Sequence, residues 1–354
     1  MTLTRRGRPR PVDSVGWVDS VDSVDSVDSV ATAARRVARS PLVRRLGGVA
    51  VLGVLVWRLG VDQSLRAVGA IDARAVGAAL VLTALTTVCC AWRWSLVATA
   101  IGARVPLGAA VAACYRSQFL NTATPGGVLG DVHRGVRHGR RTGSAGRGLR
   151  SVVLERAAGQ VVQATMALVV LSVLPSPVRP APAWLGAAVV VGLLLCLGVA
   201  WVRARRPAGP ARRIRPWAVW VADVRRGLLA RRTWPLVAAA SALAVSGHVL
   251  TFLVAARTAG STASATQLVP LAFVVLVAMV VPTNLAGWGP REGVAAWGFG
   301  AAGLGAETGL STAVVYGVLV LVASLPGAVV LVVAHGRARR LAVGARRAEE
   351  VARA

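Results

Sequence analysis

The sequence predicts an all-α polytopic integral membrane protein with about six full transmembrane helices and two re-entrant helical hairpins. Its composition is the first reason: across 354 residues, 55% are hydrophobic and the mean hydropathy is +0.62, too apolar for a water-soluble domain. Six apolar runs, at 42–60, 75–98, 152–174, 183–202, 234–257 and 310–334, come near the ~20 residues that cross the hydrocarbon layer. Two shorter runs, 107–122 and 268–281, lead into polar sequence rich in Gly and Pro.

In chain order, residues 1–41 carry Arg5, Arg6, Arg8 and Arg10, a Val-Asp-Ser triplet repeat from Val18 to Val30, and then Arg35, Arg36 and Arg39. The repeat has no helical period and too little bulk to bury, so the segment reads as a disordered cytoplasmic tail. A cleavable signal peptide is not expected, because a long polar lead precedes the first apolar run. The membrane domain then covers 42–335, and 336–354 forms an Arg-rich cytoplasmic tail.

Charge sets the orientation. All 41 basic residues are arginine, and the formal net charge is +27. In a soluble protein that balance would suggest nucleic acid. Here the arginines fall between apolar runs, as cytoplasmic loops require, and no nucleic-acid partner is expected. The stretches 1–45, 134–150, 203–232 and 337–353 are assigned to the cytoplasm, and 61–74, 175–182 and 258–267 to the outside. Both termini of this multi-pass plasma-membrane protein are then cytoplasmic. Were 107–122 a full span, the arginines of 134–150 would lie outside, so that segment is expected to re-enter from the cytoplasm. By the same parity 268–303 dips in from the outer side. Two opposed hairpins suit an inverted repeat with a site near the membrane midplane. Residues 203–232, with Trp217, Trp220 and Trp234 nearby, fit an amphipathic helix on the inner leaflet or a solvated charged loop equally well.

The absence of lysine removes several chemistries: a P-loop, a Schiff-base mechanism and any lipid phosphatase signature built on Lys. Cys89, Cys90, Cys114 and Cys196 lack metal-ligand spacing and read as small apolar residues. His133, His138, His248 and His335 are equally scattered. Neither a metal nor a cofactor is implied.

The informative motifs are YRSQFLNTATPGGVLGDVHR at Tyr115–Arg134 and VPTNLAGWGPREG at Val281–Gly293. Unwound backbone at membrane depth is tolerated where protein buries it or where it lines a wet cavity, so paired interruptions point to a binding site. Gly126, Gly127 and Gly130, like Gly287 and Gly289, let backbone N–H groups approach an anion. Asn121 and Asn284 add polar groups, and Arg134 and Arg291 add bidentate phosphate forks. Asp131 and Arg134 share a helix face and are expected to pair. Arg291 and Glu292 diverge by about 100° on a helix and are expected to seek separate partners. Glu155 and Arg156 open the 152–174 span, where they either anchor its cytoplasmic mouth or contact a headgroup or a proton; Arg116 could reach the same mouth. Trp92, Arg93 and Trp94 read as an interface belt rather than a site. Interfacial turns with snorkelling arginines are the plainer account of either motif alone. Their paired occurrence favours a site.

Taken in order, PGGVLGDVHR at 125–134, the Glu155–Arg156 pair and PTNLAGWGPREG at 282–293 resemble the flippase-like transmembrane domain of the lysylphosphatidylglycerol synthase family, over roughly 42–335. In bifunctional members a soluble aminoacyl-transferase domain follows the membrane domain. Here a short Arg-rich tail follows Val333, so the synthase reaction is expected to be absent. The resemblance implies a bacterial membrane protein that moves a phospholipid or lipid-linked headgroup between leaflets, with an anionic phospholipid as partner and no catalytic residue. Trp288, between Gly287 and Gly289, crowds the second motif. A membrane-embedded aminoacyl or glycosyl transferase, or a scaffold for one, is the alternative. Against a glycosyltransferase, 61–74 offers Asp62 and Asp72 but no DxD pair. An oligomer is left open.

Overall fold

Two copies of one four-helix unit, running in opposite directions, form the bundle. The computed structural model describes residues 66, 69–124, 127–174, 216–280 and 290–353. The first unit comprises α1 (Ala73–Ala100), α2 (Leu107–Ala123), α3 (Leu129–Arg141) and α4 (Ala145–Val173). A short helix, α5 (Pro216–Gly227), precedes the second unit: α6 (Trp234–Thr258), α7 (Ala265–Ala278), α8 (Pro290–Ala301) and α9 (Ala306–Arg353). Among the described residues there is no strand, and four helices are long and apolar enough to cross a membrane: α1, α4, α6 and residues 306–334 of α9. Four of the six expected spans are thereby accounted for, and 42–60 and 183–202 lie outside the described residues. The expected tail at 336–354 continues α9 as helix up to Arg353.

Local chemistry sets the helix ends. The Asp72 carboxylate accepts from the Ala75 amide at 2.8 Å and starts α1, and the Ser144 hydroxyl does the same for α4 through Arg147 at 3.3 Å. At α7 the Ser264 amide donates to Gln267 Oε1 at 3.0 Å, one arm of a capping box. Gly102 and Gly260 each sit two residues past the end of α1 and of α6, with φ of 78° and 88°. Gly143 and Gly303 do so past α3 and α8, with φ of 73° and 72°. A left-handed residue at this position lets the chain fold back onto the last turn, and glycine reaches it without a Cβ clash.

These matched turns mark the repeat, and packing repeats with them. A Cβ on Gly148 of α4 would overlap backbone of Gly135 and Gly139 in α3; a Cβ on Gly309 of α9 would overlap Ala295 and Phe299 in α8. Both long helices thus approach the preceding short helix through one glycine in their first turns.

The two units are antiparallel. Near one end of the bundle, Asp72 and Ala75 of the α1 start share a groove with Val254 and Thr258 of the α6 end. Midway, Gly247 lies against Thr86, and further along the Arg93 guanidinium donates to the Ser241 hydroxyl at 2.9 Å. At the far end Val97 and Ile101 pack with Val237. The turn that leads into the α2–α3 hairpin follows the α1 end, and the turn leading into the α7–α8 hairpin follows the α6 end. The hairpins therefore enter from opposite ends of the bundle, as the charge parity of the loops implied.

The apolar core is built where α6, α7, α8 and α9 meet, around Phe252, Leu268, Leu271, Phe299 and Leu319. Outward faces stay apolar, with Val81, Leu85, Val169, Leu243 and Val332 exposed, as lipid contact requires. Helix α5 is tied to α4 by Arg150, whose Nε donates to Asp223 at 2.6 Å. This half of the 203–232 segment is helical; residues 203–215 lie outside the described ones.

Candidate functional site

A cavity of about 280 Å³ opens between the two hairpins, lined by Gly127 from the first and by Met279 and Arg291 from the two arms of the second. Helices from both units line it: Thr83, Cys90 and Arg93 from α1; Ser117, Gln118 and Asn121 from α2; Asp131 and Arg134 from α3; Glu155 and Arg156 from α4; His248 from α6; Arg291 from α8; and Gly317 and Ser324 from α9.

Glu155 is the hub on the first unit. It is 1% exposed, its Oε1 accepts from Arg93 Nε at 2.9 Å and also from Arg93 Nη2, and its Oε2 accepts from Arg134 Nη2 at 2.9 Å. Asp131 forms the second node. Its Oδ1 accepts from Ser117 Oγ at 2.8 Å and from Arg134 Nη2 at 3.1 Å, and its Oδ2 accepts from Asn121 Nδ2 at 3.0 Å. Arg156 pairs with the same Oδ2 at 2.5 Å while its side chain stays 48% exposed. Asn121 also accepts from the Gly130 amide at 2.8 Å, which pins the start of α3 to the end of α2. A Cβ on Gly130 would overlap the Ser117 carbonyl, so this contact requires glycine.

Arg134 lies over the Trp94 ring, its guanidinium carbon 4.7 Å from the centroid, and its Nη1 donates to Cys114 Sγ at 3.0 Å. Its Nε is buried and makes no hydrogen bond among the described residues. Trp94 is held in turn by its own Nε1 donating to Ser151 at 3.0 Å. On the second unit Arg291 directs Nε and Nη2 at Glu292 Oε1, at 3.0 and 2.6 Å, and stacks over Tyr316 with its guanidinium 5.7 Å from the ring centroid. Gly317 makes room for it, since a Cβ there would overlap the guanidinium.

Of the expected site residues, Arg134, Asp131, Arg291, Glu155, Arg156, Asn121 and Gly127 line this single cavity, and Glu292 stands behind Arg291. Gly126, Asn284 and Gly289 lie outside the described residues. Four expectations are corrected. Arg93 and Trp94 are not an interface belt: they are 5% and 1% exposed and belong to the site. Arg291 and Glu292 do bond each other, because a long Arg side chain closes an angle that the backbone opens. Glu155 and Arg156 do not pair at a helix mouth, because α4 begins at Ala145 and places them about 15 Å along its axis. Cys114 and Cys90 do more than fill space, since both accept from arginines. His248, inside the 234–257 run, is the signal that sequence reading passed over: an ionisable side chain in an apolar span marks a wet site by default.

Around the cavity four arginines, Arg93, Arg134, Arg156 and Arg291, face three carboxylates, Asp131, Glu155 and Glu292. Among the described residues the arginines exceed the carboxylates by one. Buried ion pairs of this kind are stable only when each charge stays hydrogen-bonded, and the surplus favours an anion.

The fold and this cavity define a polytopic membrane protein with opposed helical hairpins around a cationic site. The chain matches the family described as "Lysylphosphatidylglycerol synthase TM region" over residues 45–327. It belongs to that family, which ties it to a membrane-lipid function. Comparison with curated proteins finds no match.

Proposed function

We propose that the protein moves an anionic phospholipid or lipid-linked headgroup between leaflets of the plasma membrane, through the cavity between its hairpins. The observation that carries this reading is a cavity lined from both hairpins in which, among the described residues, the arginines outnumber the carboxylates by one. At about 280 Å³ the space lies at the low end of small-ligand sites, which suits a headgroup whose acyl chains stay in lipid. Arg156 is the first contact, because it is half exposed and its partner Asp131 is shared with Arg134. A phosphate can then replace that carboxylate without stranding it. Arg291 takes the same phosphate from the second hairpin. Inverted hairpins that share one site let the headgroup leave by either end, the geometry of alternating access.

Lipid carried through purification tests the headgroup site. The Arg134→Ala, Arg291→Ala double variant is expected to lose the anionic phospholipid that wild type retains; identical lipid profiles would remove the site. Orientation is tested separately. With native cysteines replaced by serine, a cysteine at the exposed Ala145 is expected to resist an impermeant thiol reagent in intact cells. Labelling there would put the base of the first hairpin outside and reverse the proposed orientation.

A further inference from the structure

Adjoining the cavity across Arg134 lies a second basic cleft, whose other arginines the transport reading does not use. Arg116 of α2 and Gly130, His133, Arg137 and Arg141 of α3 line it, and Ser117 and Arg134 line both cleft and cavity. Arg116, Arg137 and Arg141 make no hydrogen bond or ion pair among the described residues. Arg137 and Arg141 are four apart on one helix face, where like charges repel. Desolvation first, and Arg141 second, lower the pKa of Arg137; desolvation first, then Arg116 and Arg137, lower that of His133. Among the described residues, three arginines converge there with no counter-charge.

A favourable interaction with the helix dipole explains arginines in the last turn of α3, but Arg116 sits in the middle of α2 and gains nothing from it. On α2, Ala109 and Ala113 line the same cleft on the helix face of Arg116, two turns and one turn before it, and Ala109 is exposed. Phosphate-binding charge flanked by open apolar side chains matches an amphiphile better than a free ion. We propose that this cleft is a second lipid site, which holds the phosphate of an anionic glycerophospholipid against Arg116 and Arg137 while its apolar part lies along Ala109 and Ala113. It is independent of transport through the cavity.

Native mass spectrometry of the full-length protein in detergent, titrated with phosphatidylglycerol, counts the bound lipids. Wild type is expected to hold two. Arg116→Gln with Arg137→Gln is expected to hold one, with the other weakened at least about tenfold, as two charge-assisted contacts imply. Arg291→Gln, the cavity control, loses the other lipid if the transport reading holds, so the two ideas fail separately. Should the double variant not fold, Ala109→Glu at an exposed position sets a carboxylate in the lining of the cleft and is expected to remove the same lipid. Retention of both lipids by the cleft variants would overturn the proposal. So would equal binding of phosphatidylcholine, and so would displacement by millimolar inorganic phosphate, which would make the ligand a free anion.

Discussion

Glu155→Gln is expected to destabilise the protein by about 3–5 kcal/mol, the usual effect of removing one partner from a buried ion pair. Glu155 receives Arg93 and Arg134 from two other helices and is 1% exposed, so no water can replace its charge. Gln keeps the shape and one acceptor, which isolates the effect of charge. Thermal unfolding in detergent reads the loss. Pairing it with Arg93→Gln should recover part of that loss, because the double variant strands fewer charges than Glu155→Gln alone. An unchanged melting temperature in Glu155→Gln would mean that the hub contributes nothing.

Gly148→Val is expected to be as damaging for a different reason. The overlap at this position is with backbone of Gly135 and Gly139, which cannot rotate away. Helix α3 must then leave α4, and Arg134 leaves Glu155 with it. Overpacking typically costs about 1–3 kcal/mol, and a clash with backbone belongs at or above the top of that range. Gly146→Ala, two residues earlier, meets no heavy atom closer than 3.4 Å and serves as the control. It is expected to be neutral or slightly stabilising, since Ala favours helix over Gly by about 1 kcal/mol. Equal melting temperatures for the two variants would contradict the close α3–α4 contact.

Much of this architecture was legible because lipid imposes simple rules. Apolar run length located α1, α4, α6 and the first part of α9 to within a few residues at most of their ends, and loop charge alone implied that the hairpins enter from opposite sides. Residues of the two broken motifs also come together, for Asn121, Asp131, Arg134 and Arg291 all reach one cavity. Side-chain partnerships were not legible. Arg93 lies near the end of its span beside two tryptophans, the usual signature of an interface, and nothing local reveals Glu155 some 62 positions away. Arg291 and Glu292 misled because the helical wheel describes where side chains start and says nothing of where a long guanidinium ends. The internal repeat was suggested by topology yet invisible residue by residue, since the units share turn glycines and packing contacts rather than matched motifs.

The central claim is that arginines in the cavity recognise a lipid phosphate during its passage. Arg291→Lys tests it most directly, because lysine keeps the charge and loses the planar fork. Transport of a fluorescent phosphatidylglycerol between leaflets is measured in proteoliposomes, with fold checked by thermal stability. Arg291→Lys is expected to fold normally and transport at least about tenfold more slowly, as the loss of one charge-assisted hydrogen bond implies. Arg291→Ala should be slower still. Wild-type transport by a well-folded Arg291→Ala protein would contradict the claim and leave this hairpin a structural turn.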